Sequence, residues 1–130
     1  MPISEQFTDA EIAKNIEVGS VGKPDRGLKF DDGKAPVWRG FIKYFPRAIK
    51  AVAEISGYGY GKYKSWGGWA DVPDCRERYS DALGRHLCDE AIRGNLDPES
   101  SLADDAHAAW NAMARLERRL RDEEHRGKPN

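Results

Sequence analysis

RYSDALGRHLCDEAIRGNLDPESSLADDAHAAWNAMARLERRL, at residues 78–120, is the stretch that decides the fold, because it predicts two helices joined by a short polar turn. In the first helix, apolar residues recur with a 3.6-residue period and form one stripe, which we expect to be the core face. The stripe is formed by Tyr79, Leu83, Leu87 and Ala91, with Ala82 and His86 beside it. Asp81 and Arg85 lie four residues apart on the other side, where they can pair with each other or contact a ligand.

The turn between the two helices carries stop and start signals in the correct order. Gly94 and Asn95 can adopt the left-handed conformation that ends a helix. Asp97 before Pro98 is typical of an N-cap followed by proline in the first turn, and Ser100 offers a second start. Apolar residues then recur in steps of four and three, which predicts a long bundle helix with this stripe as its core face. The stripe consists of Leu102, Ala106, Ala109, Met113, Leu116 and Leu120.

A line of polar side chains runs along the second helix, roughly opposite that stripe. Asp104, His107 and Asn111 lie at i, i+3 and i+7, and Arg115 and Arg118 continue the same line. Such a line is commonly a solvated face. Small or apolar neighbours favour the alternative that this face is also covered. These neighbours are Ala103, Ala108, Trp110 and Ala114.

Length and composition indicate one folded helical domain. The chain has 130 residues, of which 33% are charged and 39% hydrophobic, a mixture that argues against disorder; oligomerisation would help so small a core. With 21 basic and 22 acidic residues, the net charge of −1 gives no reason to expect direct nucleic-acid binding. Cys75 and Cys88 are too few for a disulfide framework and lack the spacing of a structural zinc site.

The sequence predicts three segments. Residues 1–26 are polar and rich in glycine and proline, which predicts an irregular N-terminal arm with one short helix from Thr8 to Ile16. Residues 27–120 form the predicted helical domain, and residues 121–130 a charged tail. No apolar run approaches the roughly 18 residues of a membrane span, and the first residues lack a signal-peptide pattern. We therefore expect a cytoplasmic protein.

Candidates for a binding site precede the two helices. Lys34 follows a tight Asp-Gly turn, on a loop that is either merely hydrophilic or presents ammonium groups to phosphate oxygens. A further helix is predicted to start at Pro46 and to run to about Tyr63. Glu54 lies on this helix beside semi-apolar neighbours, as expected either of a partly exposed helix residue or of a ligand.

The segment KYKSWGGW at residues 62–69 interleaves basic and aromatic side chains. Tyr63, Trp66 and Trp69 can stack on a nucleobase while Lys62 reaches its phosphates, a combination that suits a nucleotide better than a sugar or a peptide. The tryptophans can equally cover the end of the bundle. Both interpretations remain open.

Five blocks, taken together and in order, resemble those of a known family. They are GLKFDDGKAPVW at 27–38, GYGKYKSW at 59–66, RYSDALGRHL at 78–87, DPESSL at 97–102 and HAAWNA at 107–112. The set is similar to the phage dATP/dGTP diphosphohydrolases, the MazZ-type branch of the all-α nucleotide pyrophosphohydrolases related to MazG. The resemblance implies a MazG-like helical bundle that forms a homodimer or homotetramer. It also implies metal-dependent hydrolysis of a purine deoxynucleoside triphosphate, dGTP or dATP, to the monophosphate and pyrophosphate in phage nucleotide metabolism, including synthesis of a 2-aminoadenine genome.

The resemblance implies roles for individual residues as well. In MazG-like proteins, acids at EExxE and ExxD spacing hold the metal; this chain has no EExxE, and its nearest counterpart of the second pair is Asp104 with His107. Asp81 and Glu54 complete the implied metal ligands, and Asp81 and Asp104 are the implied catalytic residues. The implied substrate-binding residues are Lys34, Lys62, Tyr63, Trp66, Arg85 and Asn111.

Asp104 stands where relatives usually have the first histidine of a Gly-Leu-Pro-His-Leu-Ala-His motif. A carboxylate in that place makes the site richer in oxygen, which favours Mg²⁺ or Mn²⁺ over zinc, with Co²⁺ as a further candidate. Two other functions stay open. One is a housecleaning or pyrimidine-directed pyrophosphohydrolase of the same fold, and the other is a catalytically silent helical interaction module. Convergence of Glu54, Asp81, Asp104 and His107 would distinguish an enzyme from that module.

Overall fold

The computed structural model describes residues 27–127, which form helices and turns without a strand. The chain divides between residues 41 and 42 into two compact units, so the described residues comprise 27–41 of the first and 42–127 of the second. The α-helices of the second unit are α1 Pro46–Tyr63, α2 Cys75–Arg93 and α3 Asp104–Arg126. The predicted all-α class is confirmed. The predicted arm and its helix lie outside the described residues.

The first unit contains the predicted Asp-Gly turn. The Lys34 amide donates to the Asp31 carbonyl at 3.1 Å, and Gly33 adopts a φ of 80°, which glycine accepts without steric cost. A short π-helix, Trp38–Ile42, follows. The side chains of residues 27–41 are exposed, Lys34 among them.

Local signals account for the ends of α1 and α2. Helix α1 begins at Pro46, whose fixed φ suits a first helical turn, and it runs to Tyr63 as predicted. Helix α2 ends where Gly94 takes a φ of 95° and donates its amide hydrogen to the Glu90 carbonyl at 2.9 Å. Glycine was the expected helix-ending residue here, although a ψ of 171° places Gly94 outside the left-handed helical region.

Helix α3 begins later than the sequence predicted. The Asp97 carboxylate accepts the Ser100 amide at 2.9 Å and so caps a tight turn, not the helix itself. The Asp97 amide donates to the Leu102 carbonyl at 2.8 Å, which closes the loop on itself. Ser101 has a φ of 62°, a conformation incompatible with a continuing helix. The helix therefore starts at Asp104, and the predicted starts at Asp97 and Ser100 are wrong.

Helix α3 packs against both α1 and α2 and so occupies the middle of the bundle. A 3₁₀-helix, Gly68–Asp71, contacts α2 and α3. Its Trp69 lies edge-on to Tyr79 of α2 and to Trp110 of α3, with ring centroids 6.2 and 5.9 Å away. The Trp110 indole nitrogen donates to the Ser56 hydroxyl of α1 at 2.9 Å. The aromatic contacts and this hydrogen bond connect all three helices.

Most of the face of α3 that is buried is not the one predicted, since Ala106 is the only member of the predicted core stripe within the helix that is buried. Met113, Leu116 and Leu120 of the predicted core stripe are 52%, 48% and 46% exposed. The buried residues of α3 are Asp104, Ala106, His107, Ala108, Asn111 and Ala114. The polar line is therefore covered, and the interpretation as a solvated face is wrong. Alanines on this side allow close helix approach, and the polar groups between them bond to one another.

The stripe predicted as the core face of α2 is only partly buried. Tyr79, Leu83 and His86 are half-buried, whereas Leu87 is 51% exposed and Ala91 is also exposed. Within residues 27–127, no helix combines the length and apolar character that crossing a bilayer requires.

Candidate metal centre

Three ligand side chains come together where α2, the following turn and α3 meet. His86 lies on α2, Asp97 lies in the turn, and Asp104 is the first residue of α3. One ligand atom from each of the three lies within 4.8 Å of the others, close enough for all to reach one metal ion. Two carboxylates and one imidazole form a mixed oxygen and nitrogen donor set.

Asp104 is the most deeply buried member, with no exposed surface. Its Oδ1 lies 2.9 Å from His86 Nδ1 in a hydrogen bond. Its Oδ2 is buried without a hydrogen-bond partner, although Arg93 Nη2 is 3.7 Å away. An unsatisfied oxygen on a buried carboxylate is costly in a folded protein unless a cation can reach it. The free oxygen lone pairs are therefore the observation that most directly indicates a cation site.

Asp97 supplies the second carboxylate of the ligand group. The Ser100 amide and hydroxyl donate to its Oδ2 at 2.9 and 2.8 Å, while Arg93 Nη2 lies 3.7 Å from Oδ1. Partial burial acts to raise the pKa of Asp97, but the two Ser100 hydrogen bonds outweigh burial and hold that pKa below its usual value. The carboxylate is consequently ionised near neutral pH and can act as a ligand.

His107 supports the centre from α3. Its ring stacks on the His86 ring with centroids 4.4 Å apart and planes 5° from parallel. Because the Ser100 hydroxyl donates to Asp97, it accepts from His107 Nε2 at 2.6 Å, which places the His107 proton on that nitrogen. Burial, together with the neighbouring His86, lowers the pKa of His107 and favours its neutral form. The Asn111 amide group donates to the His107 carbonyl at 2.8 Å.

Arg93 supplies the positive charge that faces the two carboxylates. Its guanidinium lies 3.7 Å from an oxygen of Asp97 and 3.7 Å from an oxygen of Asp104, and it pairs with Asp89 at 3.1 Å. At 3.7 Å the first two contacts are too long for hydrogen bonds, so the carboxylates keep acceptor positions for a closer cation. Attraction between the two acids and Arg93 still reduces the cost of burying two like charges.

The structure brings together part of the predicted site. Asp104 is a member of the ligand group, and His107 Nε2 lies 3.7 Å from Asp97 Oδ2 beside it. Asn111 bonds to the backbone of His107. Asp81 and Arg85 are exposed on α2. Asp81 precedes His86 by five residues and thus lies about 140° around the helix from it. Glu54, exposed on α1, is also not among the three side chains within reach of one ion.

The predicted substrate-binding residues of the 62–69 segment lie at and beyond the end of α1. Lys62 is paired with Glu99 at 2.7 Å, and Tyr63 is 70% exposed. Trp66 is 64% exposed and stacks on Tyr60 with centroids 4.5 Å apart, so one face of its ring is already covered. Lys34 belongs to the first unit.

Sequence reasoning missed His86 and Asp97. His86 stood beside an apolar stripe and was assigned to the core face, whereas its Nδ1 contacts Asp104. Asp97 was assigned as a helix cap, and its capping bonds to Ser100 leave Oδ1 free for other contacts. The detectable signal was the occurrence of both residues in blocks shared with the family, at 78–87 and 97–102.

Comparison with curated proteins and with solved structures finds no significant match. A family model described as "dATP/dGTP diphosphohydrolase, N-terminal" matches residues 24–128. The matched range includes α1, α2 and α3 and therefore the whole ligand group. The chain belongs to the dATP/dGTP diphosphohydrolase N-terminal family.

Proposed function

We propose that the chain hydrolyses the purine deoxynucleoside triphosphates dGTP and dATP to the monophosphate and pyrophosphate, with a divalent metal held by His86, Asp97 and Asp104. The observation that carries this proposal is the fully buried Asp104 carboxylate, whose Oδ2 has no hydrogen-bond partner. A merely structural helix interface has no need of such a group. The family match supplies the class of reaction.

The residues fit a divalent cation. Two carboxylates and one imidazole supply hard oxygen ligands and one nitrogen, a set that favours Mg²⁺ or Mn²⁺ and also accommodates Co²⁺. When bound, such an ion neutralises charge on phosphoryl oxygens and activates water for attack. In the overall reaction, a water oxygen bonds to the α-phosphorus and the bond to the leaving pyrophosphate breaks. Asp97 and Ser100 fix one wall of the site, and His107 packs against the His86 ring.

Other residues are proposed to contact the nucleotide. Lys62, which lies on the side of α1 near the ligand group, is the best-placed candidate for the phosphates, since it already binds an anion there, Glu99. Further substrate contacts are proposed for Lys34, Tyr63, Trp66, Arg85 and Asn111. Glu54 and Asp81 stay proposed ligands, and Asp81 a proposed catalytic residue, on the family resemblance alone.

We also propose that the protein self-associates. Met113, Leu116 and Leu120 leave an apolar stripe about half-exposed along α3, and their spacing of three and four residues is that of a helix-pairing seam. A homodimer or homotetramer would cover this stripe. Light scattering should then give a mass of two or four chains, and Leu116→Glu should reduce it. A monomer at micromolar concentration would refute this part of the proposal.

The reaction is tested by incubating the purified protein with each deoxynucleoside triphosphate and Mg²⁺ or Mn²⁺, followed by chromatography of the products. We expect dGTP and dATP to yield monophosphate and pyrophosphate, in keeping with a function in phage nucleotide metabolism. Asp97→Asn and Asp104→Asn should each reduce turnover at least about 100-fold, while Asp105→Asn, an exposed neighbour, should not. Orthophosphate release would refute the reaction, preferential pyrimidine turnover would indicate the housecleaning alternative, and no turnover would indicate an interaction module.

Asp81→Asn distinguishes the ligand set implied by resemblance from the group seen in the structure. If Asp81 acts in catalysis, its substitution should abolish turnover as Asp104→Asn does. If the group of His86, Asp97 and Asp104 is sufficient, Asp81→Asn should retain activity, because Asp81 is exposed on another side of α2. Circular dichroism on each variant checks that helicity is intact.

A further inference from the structure

A second polar cluster lies beside the metal centre, between α1 and the turn that precedes α3. The Tyr58 hydroxyl and the Lys62 ammonium both donate to one oxygen, Glu99 Oε1, at 2.9 and 2.7 Å. We propose that Tyr58 and Lys62 form a subsite for a non-bridging phosphoryl oxygen and that Glu99 occupies this subsite until substrate displaces it. The identity of the displacing ligand, a polyphosphate chain, rests on the proposed function.

The two donors are arranged as a pair by the helix. Tyr58 and Lys62 are four residues apart on α1, so their side chains lie on one face, one turn apart. The Tyr58 ring meets the His107 ring edge-on, with centroids 6.0 Å apart and planes at 87°. Glu99 follows the proposed metal ligand Asp97 by two residues. The subsite therefore adjoins the metal centre, as a neighbouring phosphoryl group of a bound triphosphate requires.

The chemistry of the cluster is that of an anion site. An ammonium and a phenol converge on one negatively charged oxygen at distances typical of charge-assisted hydrogen bonds. A phosphoryl oxygen offers the same acceptor to the same donors, and it brings more negative charge.

Glu99 is suited to leave the subsite. Its side chain is 65% exposed, and that of Lys62 is 45% exposed, so both groups can be hydrated when the contact breaks. Exposed ion pairs contribute little to stability, because hydration and side-chain freedom offset the attraction. The pair nevertheless lowers apparent affinity, since a ligand binds only the fraction of molecules in which the donors are free. Glu99 thus raises the substrate concentration at which the site fills.

Calorimetric titration with inorganic tripolyphosphate in a Mg²⁺ buffer tests this subsite without any need for turnover. We expect Tyr58→Phe and Lys62→Met to weaken binding, Lys62→Met the more strongly because it removes a charge. Glu99→Gln should tighten binding by about two- to tenfold, the range expected when a weak internal competitor is removed. Glu117→Gln is the control, since it removes another exposed glutamate charge, one that pairs with Arg121 on α3. That control should leave binding unchanged.

The double variant Glu99→Gln with Lys62→Met separates displacement from general electrostatics. If Glu99 acts by occupying the donors, its substitution should gain little once Lys62 is absent. An equal gain in both backgrounds, or no gain in either, would overturn the proposal. Failure of the proposed function is distinguishable, since a protein that never hydrolyses a nucleotide can still show the tripolyphosphate pattern, and an active enzyme can lack it.

Discussion

Asp104→Asn should remove the metal-dependent part of the stability of this protein while costing little in the metal-free state. The substitution keeps the shape of the side chain and removes its charge at a position with no exposed surface. Without metal, the contact with His86 Nδ1 at 2.9 Å changes from a charge-assisted to a neutral hydrogen bond. That change should lower the free energy of unfolding by about 1 kcal/mol.

With metal bound, the expected loss in the free energy of unfolding is larger. An ion present at 100 times its dissociation constant stabilises the folded wild-type protein by about 2.7 kcal/mol. If losing a carboxylate ligand weakens binding about 100-fold, the same ion concentration stabilises the variant by only about 0.4 kcal/mol. For a domain of this size, the metal-dependent rise in melting temperature should fall from about 10 °C to about 2 °C.

Thermal melts of wild-type protein and variant, each with chelator and with Mn²⁺ or Mg²⁺, measure both quantities at once. Asp105→Asn is the control, because it makes the same chemical change one residue further along α3 at an exposed position. A full metal-dependent shift in Asp104→Asn would refute the assignment of Asp104 as a ligand. An equal loss in Asp105→Asn would show that the effect is only the change of net charge.

Three further predictions concern stability. Because burial lowers the pKa of His107, the folded state takes up its proton less readily than the unfolded chain. The free energy of unfolding should therefore fall as pH drops below about 6.5. In urea melts, His107→Gln should make this fall less steep, and an equally steep fall in wild-type protein and variant would contradict the prediction. Gly94→Ala should cost about 1–3 kcal/mol, since φ 95° and ψ 171° suit only glycine, whereas Gly84→Ala inside α2 should gain up to about 1 kcal/mol. Trp110→Phe should cost about 1–3 kcal/mol by leaving its pocket underfilled and Ser56 without its donor, and an unchanged denaturation midpoint would show that this bond contributes nothing.

Helix positions were predictable because their signals are local. Pro46 restricts its own φ, and Gly94 alone accepts the conformation that ends α2, so neither depends on the rest of the fold. The predicted start of α3 was wrong for a related reason. Asp97 and Ser100 have the side chains of helix caps, but those side chains close a turn on themselves first. The sequence shows that such a residue can cap a backbone segment, but it does not show whether that segment is a turn or a helix.

The buried face of α3 could not be predicted because both of its faces have helical periodicity. Amphipathicity indicates the core side of a helix only when the polar side chains of the other face have no hydrogen-bond partners in the interior. Here, Asp104 bonds to His86, while His107 and Asn111 bond within the same cluster. The partners of Asp104 and His107 come from α2 and from the turn, and spacing along a single helix carries no information about them.

The candidate ligand group illustrates the same limit of sequence-based prediction. Helical spacing placed Asp104 and His107 on one line, whereas only the packing of α2 against α3 brings His86 to Asp104. Burial of a polar face and exposure of an apolar one are two consequences of one arrangement. Since α3 directs Asp104 and His107 toward α2 and the turn, Leu116 and Leu120 lie on the outer side of the helix, where the chain covers them only about half. This arrangement encloses the candidate ligand group within one chain and leaves the apolar stripe of α3 about half-exposed.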